Sequence, residues 1–431
     1  MGRPRKTRGR HFLQGQFWMQ PLIASLEHAC TVKINFDGTR RACSPRETVE
    51  RMSKLFPLFG LTRLANITGL DKVGIPVFAA YRPNARSLSV AQGKGCTQDA
   101  ARASAVMESI ESYHAENIRR PLLLASYEEM YERALDISRL PRYHDAEIDS
   151  HRRILWVEGI DLFTNREKWS PFEVVHTDYA PGAPAGSGFV SSSNGLSSGN
   201  NHQEAIIHGL CELIERDALT LWTISSAPKQ LDRKIRLDTI TERRTVDILE
   251  RFFAADIAVG VWDITSDTGI PAFLCRTLPN EPDITGARPA SGMGCHLSRD
   301  VALLRALTEA AQSRLTFISG ARDDMPRADY AKYLSVEEHA RWLAQIEARG
   351  GRHMRHVPTL ETETFDHDIA VLINSLRKTG IREAVAVDLT IDGLDIPVTR
   401  MVVPGLEGIL SRKGTVPGER AGRLLPGESN G

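Results

Sequence analysis

The chain has 431 residues, 42% of them hydrophobic and 25% charged, with 54 basic and 54 acidic side chains. This is the composition of a globular protein with a large core, long enough for one large or two to three ordinary domains. The charge balance argues against nucleic acid or an anionic membrane as partner of the whole chain, and no apolar run approaches the roughly 18 residues that span a bilayer.

The six cysteines are scattered, with no C-x-x-C pair and no zinc-ligand spacing, so neither a disulfide framework nor a structural zinc is expected. A reduced, cytoplasmic protein is the plain expectation, and no secretory signal follows the N-terminus. Residues 1–30 open with the basic run MGRPRKTRGR and are expected to be a flexible tail. A minor-groove arm is the sharper reading of that run, but one short copy on a neutral chain favours the solvated tail.

The stretch TVKINF reads as a strand before a turn at Asp37-Gly38. Next, Ser44, Pro45 and Glu47 have the spacing of a capped helix start. GIPVFAAYRP (74–83) reads as a strand. Two similar segments follow. In 93–117 a glycine turn precedes a helix with Glu108 and Glu111; in 197–222 the same order recurs with Glu212 and Glu215. The interval from Gly95 to Glu108 equals that from Gly199 to Glu212. A looser third copy, 292–317, carries Arg305, Glu309, Gln312 and Arg314. Such self-similarity points to repeated strand, glycine-loop and helix units. Strands are expected at 256–265, 271–278, 383–390 and 395–405, and helices at 335–351 and 368–380. Without a strict alternation of strand and helix, the expected fold class is mixed α/β (α+β).

Residues three or four apart share a helix face, so Glu108 pairs with Glu111, Glu212 with Glu215, and Ser104 with Glu108. Glu204 lies two turns before Glu212 on a stripe shared with Ile207 and Leu210. Carboxylates in such surroundings need a cation, because burying an unpaired ionised acid is costly. Either Arg216, Arg305 and Arg314 neutralise them as a structural network, or a hard ion such as Mg²⁺ does so beside phosphate. The acids outnumber the arginines. Glycine-rich loops before both helices add free N–H groups suited to an anion, although QGKGC is not a Walker loop. Together these signals favour a nucleotide site. His114, His202 and His208, and Cys96, Cys211 and Cys295, read as ordinary buried or surface residues.

The segment SSNGLSSGNNHQEAIIHGLCELIERDA resembles the signature of the YcaO family. GLTRLANITGLDKVGIPVFAAYRPNARSLSVAQGKG with SAVMESIESYHAE resembles its N-terminal half, and GMGCHLSRDVALLRALTEAAQSR with VPGLEG its C-terminal half. The resemblance spans about residues 31–410, with a loose tail expected over 411–431. It implies a YcaO-like fold and an enzyme that uses ATP and Mg²⁺ to activate a peptide backbone amide. The amide oxygen is a poor leaving group, and phosphorylation of the adduct's oxygen turns it into phosphate. By this resemblance Glu108, Glu204, Glu212 and Glu215 are the metal ligands. Lys33, Ser44, Ser104, Glu111, Asn194 and Glu309 contact the nucleotide, and Arg216 and Arg305 act on the phosphates as the catalytic cations. Ser112 stands where the family often has arginine.

The resemblance also implies a peptide or protein substrate, a TfuA-like partner or sulfur donor, and a homodimer. Residues 61–84 look most like members that work beside TfuA, a grouping associated with thioamides, and the end RLLPGESNG lacks the P-x-P-x-P tail of many azoline-forming members. Two rivals remain: another ATP-dependent ligase or kinase on the same acidic site, and a non-catalytic, ribosome-associated or peptide-binding accessory protein.

Overall fold

The computed structural model describes residues 32–36, 38–184, 186–281, 288–325, 335–408 and 414–425. The basic tail expected over 1–30 lies outside them. A short hairpin, β1 (Ile34–Phe36) and β2 (Thr39–Arg41), leads into α1 (Pro45–Ser53), which has the expected capping box between Ser44 and Glu47. An antiparallel sheet follows, β3 (Arg63–Asn66), β4 (Val77–Tyr81) and β5 (Val90–Lys94), and then the long α2 (Gln98–Glu116). The central sheet contains β6 (Leu122–Ala125), β7 (Ile154–Asp161), β8 (Arg166–Pro171) and β9 (Leu196–Ser198). From β9 the chain enters α3 (His202–Thr223), then α4 (Arg243–Ala254).

A second three-stranded antiparallel sheet, β10 (Ile257–Asp263), β11 (Ala272–Pro279) and β12 (Ala290–Cys295), runs into α5 (Arg299–Ser319). After α6 (Val336–Glu347) and α7 (Phe365–Lys378), strands β13 (Val385–Asp388) and β14 (Val398–Val402) return to the central sheet. Its order is β6-β7-β13-β14-β9, with β8 also paired to β7. The three repeats expected from the sequence are therefore β5–α2, β9–α3 and β12–α5.

Each repeat helix covers its own strand and reaches into the next unit. Helix α2 lies on β5 and β9, α3 on β9, β14 and β12, and α5 on β12 and back on β5. This closes a ring of three helices, which is what carries their acidic faces to one place. Close approach depends on glycine. A Cβ on Gly93 would stand 1.9 Å from the Ala105 amide nitrogen, and one on Gly292 2.2 Å from both the Ala306 oxygen and the Ala310 nitrogen. The helix starts are capped locally: Thr97 accepts from the Ala100 amide and Asn201 from the Glu204 amide.

The tail expected to be loose is docked over residues 414–425. Asp217 of α3 is fully buried, and its charge requires a partner. Arg420 supplies it through Nε at 2.8 Å and Nη2 at 2.9 Å, while Glu407 accepts the Gly418 and Ala421 amides. Among the described residues no helix is long and apolar enough to cross a membrane.

The steric argument for the helix ring is testable. Gly292→Ala must push β12 away from α5, and thermal or urea unfolding should show a loss of about 2 kcal/mol or more. Unchanged stability would mean that the strand and helix need not approach this closely.

Candidate functional site

The ring gathers Glu108 and Glu111 from α2, Glu212 and Glu215 from α3 and Glu309 from α5. Their contacts are few and specific. Glu111 accepts the Ser198 amide at 2.9 Å and its hydroxyl at 2.7 Å. Glu212 accepts the Gly195 amide at 3.1 Å. Arg216 lies 3.4 Å from Glu212 and 3.3 Å from Glu215. Glu309 pairs with Lys94 at 2.6 Å and accepts the Met293 amide at 3.2 Å.

The electrostatics record the crowding. Burial pushes Glu108 up to about 7; Lys94 and Arg322 oppose the shift, while Glu212 and Glu309 add to it. Burial likewise raises Glu111 to about 8, against the two bonds from Ser198 and with help from Glu108 and Glu212. Glu215 rises to about 7 by burial, with Arg216 opposing and Glu309 and Glu212 reinforcing. Glu309 alone stays below the ordinary range: burial acts the other way, but Lys94 and Arg216 outweigh it. The same acids raise Arg216 against its burial.

Glu204, expected among the metal ligands, lies two turns before Glu212 on the same helix and pairs with Arg41. Its carboxylate takes Arg41 Nη1 at 2.8 Å, the Ala42 amide at 3.2 Å and the Asn200 side chain. Eight residues separate it from Glu212, a rise of about 12 Å along one stripe of the helix. Glu204 also lines a small cavity with Lys33, Arg41, His208, His296 and Arg305. Lys33 is buried there in a 2.6 Å pair with Asp368. Burial and the neighbouring Arg305 and Arg41 hold His208 well below its usual range, and its Nε2 lies 2.9 Å from Arg305.

The remaining expected residues divide. Arg305 joins the cavity to the acids, since its charge reaches Glu215. Ser104 lies on α2 one turn before Glu108, half-buried. Asn194 sits in the turn that presents the Gly195 amide to Glu212. Ser44 does not join the group: its hydroxyl and amide are both engaged with Glu47 as a helix cap. Arg314, considered as a neutralising arginine, pairs with Asp71 at 2.7 Å.

Sequence reasoning missed Lys94, Arg41 and Arg400. Lys94 was set aside with the failed Walker pattern. Arg400 lies on β14 opposite Leu196, 3% exposed, with burial lowering it to about 10 against the pull of Tyr179 and Glu212. An arginine at a core-facing position of VTRMV was the available signal.

Mg²⁺ with a nucleotide can be tested against this arrangement. Among the described residues no three His, Cys, Asp or Glu side chains close on one point as a ready metal cage. Mg²⁺ seldom uses one; it takes one or two carboxylates and completes its shell with phosphate and water. The surplus of acid is of that kind, and Arg216 Nε, Arg305 Nε and two nitrogens of Arg400 are buried without a hydrogen-bond partner. Carboxylates that outnumber their cations beside guanidinium N–H groups without acceptors fit a metal–nucleotide complex.

A family profile described as YcaO cyclodehydratase, ATP- and Mg²⁺-binding, matches residues 92–407. A Rhizobium leguminosarum bv. trifolii protein, described as uncharacterized and lying in a tfuA 3′ region, is 37% identical over 397 residues, covering 90% of this chain and 93% of its own. The structure of YcaO from Methanopyrus kandleri bound with AMPPCP and Mg²⁺ superposes with TM-score 0.72 at 23% identity, over 93% of this chain and 100% of that one. A heterocyclase in complex with substrate and cofactor gives TM-score 0.73 at 24% identity, over 88% of this chain and 54% of that one. The fold is thus one shared with a YcaO structure and a heterocyclase. The chain belongs to the YcaO family, and the ATP and Mg²⁺ expected from its sequence are the cofactors of that family.

The raised acids make a pH prediction. A carboxyl whose folded pKa exceeds its unfolded value stabilises the fold fully below the unfolded pKa, and that contribution is lost as pH rises through the folded pKa. Glu108, Glu111 and Glu215 should therefore lower the melting temperature of metal-free protein between about pH 5 and pH 8. Mg²⁺ with a non-hydrolysable ATP analogue should restore more stability at the upper end, where the acids are ionised. Calorimetry that shows an equal gain at both ends would remove these acids from the metal's surroundings.

Proposed function

We propose that the chain is an ATP- and Mg²⁺-dependent enzyme that activates a backbone amide of a ribosomally made peptide or protein, with thioamide formation as its reaction. The observation that carries this reading is the shared recess of α2, α3 and α5, where, among the described residues, five acids meet only Lys94 and Arg216 as paired cations and guanidinium nitrogens of Arg216, Arg305 and Arg400 lack hydrogen-bond acceptors. In it Glu108, Glu212 and Glu215 hold the metal, and Ser104, Glu111, Asn194 and Glu309 border the nucleotide. Glu204 belongs with Lys33 on the wall of the adjoining cavity. Bound Mg-ATP supplies the phosphoryl group that makes the amide oxygen able to leave.

The chain's own groups do the rest. Arg216 is fixed between Glu212 and Glu215 with its Nε directed at no protein acceptor, so it can take a phosphoryl oxygen without reorganising. Arg305 does the same from α5. His208 remains neutral beside it, accepting rather than competing for the anion.

The thioamide product is favoured by the likeness of residues 61–84 to TfuA-associated members and by the description of the Rhizobium relative. A TfuA-like protein or another sulfur donor is then the partner, and a cytoplasmic homodimer the working assembly. Azoline formation is the second reading, favoured by the description of the family as a cyclodehydratase.

The test is mass spectrometry of a candidate peptide incubated with protein, Mg-ATP and sulfide. Oxygen-to-sulfur exchange supports thioamidation and loss of water supports an azoline, whereas acyl or phosphoryl gain would point to a ligase or kinase. Glu215→Ala should lower ATP-dependent turnover by at least about 100-fold without unfolding the chain. Wild-type turnover in that variant would place the chemistry elsewhere.

A further inference from the structure

Outside the acidic recess, half-buried Arg276 has no carboxylate counterpart among the described residues. Arg276, midway along β11, is held by three indoles: its guanidinium carbon lies 4.9 Å from the ring centre of Trp342, 5.1 Å from Trp222 and 5.5 Å from Trp262. These come from α6, α3 and β10, so three elements build the cage. Cation–π attraction explains how a half-buried charge persists there, but it leaves the N–H groups unused. Among the described residues no carboxylate pairs with Arg276, and burial, which lowers its pKa, is opposed by no acid. The indole Nε1 of Trp222, itself 6% exposed, is also buried without a partner. The cage therefore offers donors only.

Its position is tied to the recess. Across the sheet Arg276 faces Ser291 and Leu274 faces Met293, so Arg276 and Met293 occupy neighbouring rows of one sheet face. The Met293 sulfur lies 3.7 Å from Arg216 Nη1. Trp222 follows Arg216 by six residues on α3, a rise of about 9 Å.

We propose that Arg276 in its tryptophan cage binds a carboxylate of the substrate polypeptide, an acidic side chain or a free C-terminus, about three extended residues from the amide that reacts in the recess. The planar guanidinium matches a carboxylate edge to edge, and indole walls pack against the carbons that bear it. The phosphates of the nucleotide have Arg216 and Arg305 closer at hand. The substrate class rests on the reading under Proposed function; the anion site itself does not.

The test reads tryptophan fluorescence without ATP or turnover, so it can succeed or fail independently of the Glu215→Ala result. Three probes are titrated: a blocked hexapeptide with one Asp, its Asn twin, and inorganic phosphate. The wild-type protein should bind the Asp peptide at least tenfold more tightly than the other two. Arg276→Gln should erase that difference, and Arg276→Lys should keep part of it. Equal response to both peptides, or to phosphate and the Asp peptide, overturns the proposal. If Arg276→Gln fails to fold, the wild-type comparison decides alone.

Discussion

Negative charge confined in a small recess, with too few protein cations beside it, is the constraint on which this structure turns. An isolated carboxylate in such a place would take up a proton, and Glu108, Glu111 and Glu215 lie close to that limit. The arrangement holds because the backbone meets part of the demand: the Ser198, Gly195 and Met293 amides each donate to one of these acids. What the backbone and Lys94 and Arg216 leave unmet is the charge that a divalent ion would supply. Folding and cofactor binding thus draw on the same electrostatic imbalance.

Helix α3 is the axis of the arrangement. Its first turn is fastened by Glu204 to Arg41, its middle faces the recess through Glu212, Glu215 and Arg216, and Asp217, next to Arg216 on another face, is anchored to Arg420. Ion pairs buried this deeply do little for net stability relative to apolar packing, but breaking one leaves an uncompensated charge. They therefore specify where the helix sits. A helix pinned on both sides of its functional turn presents Arg216 in one orientation, which is what electrostatic stabilisation of a phosphoryl group requires.

The polarity across the site follows from the same packing. Lys33, Arg41 and Arg305 line the cavity at one end, and the histidines among them are kept uncharged by burial and by those cations. The acids lie at the other end. A polyanion carrying a metal is complementary to both halves at once.

Much of this was legible in the chain. Equal spacing from glycine to acid, the i and i+3 pairing of carboxylates, and the capping residues Ser44 and Asn201 are local properties, and local backbone rules decide them. The motif order was enough to suggest the family and its cofactors. Helical phase, however, gives only direction around an axis, not distance along it or between helices. It puts Glu204 and Glu212 on one stripe, but only the tertiary structure pairs Glu204 with Arg41 at the adjoining cavity. Lys94 meeting Glu309, Arg400 donating to the Ser192 carbonyl, the docking of Arg420, and Arg276 meeting Trp222 and Trp342 join residues more than 50 positions apart. Such contacts depend on how sheets and helices close upon one another, which local patterns in the sequence do not specify.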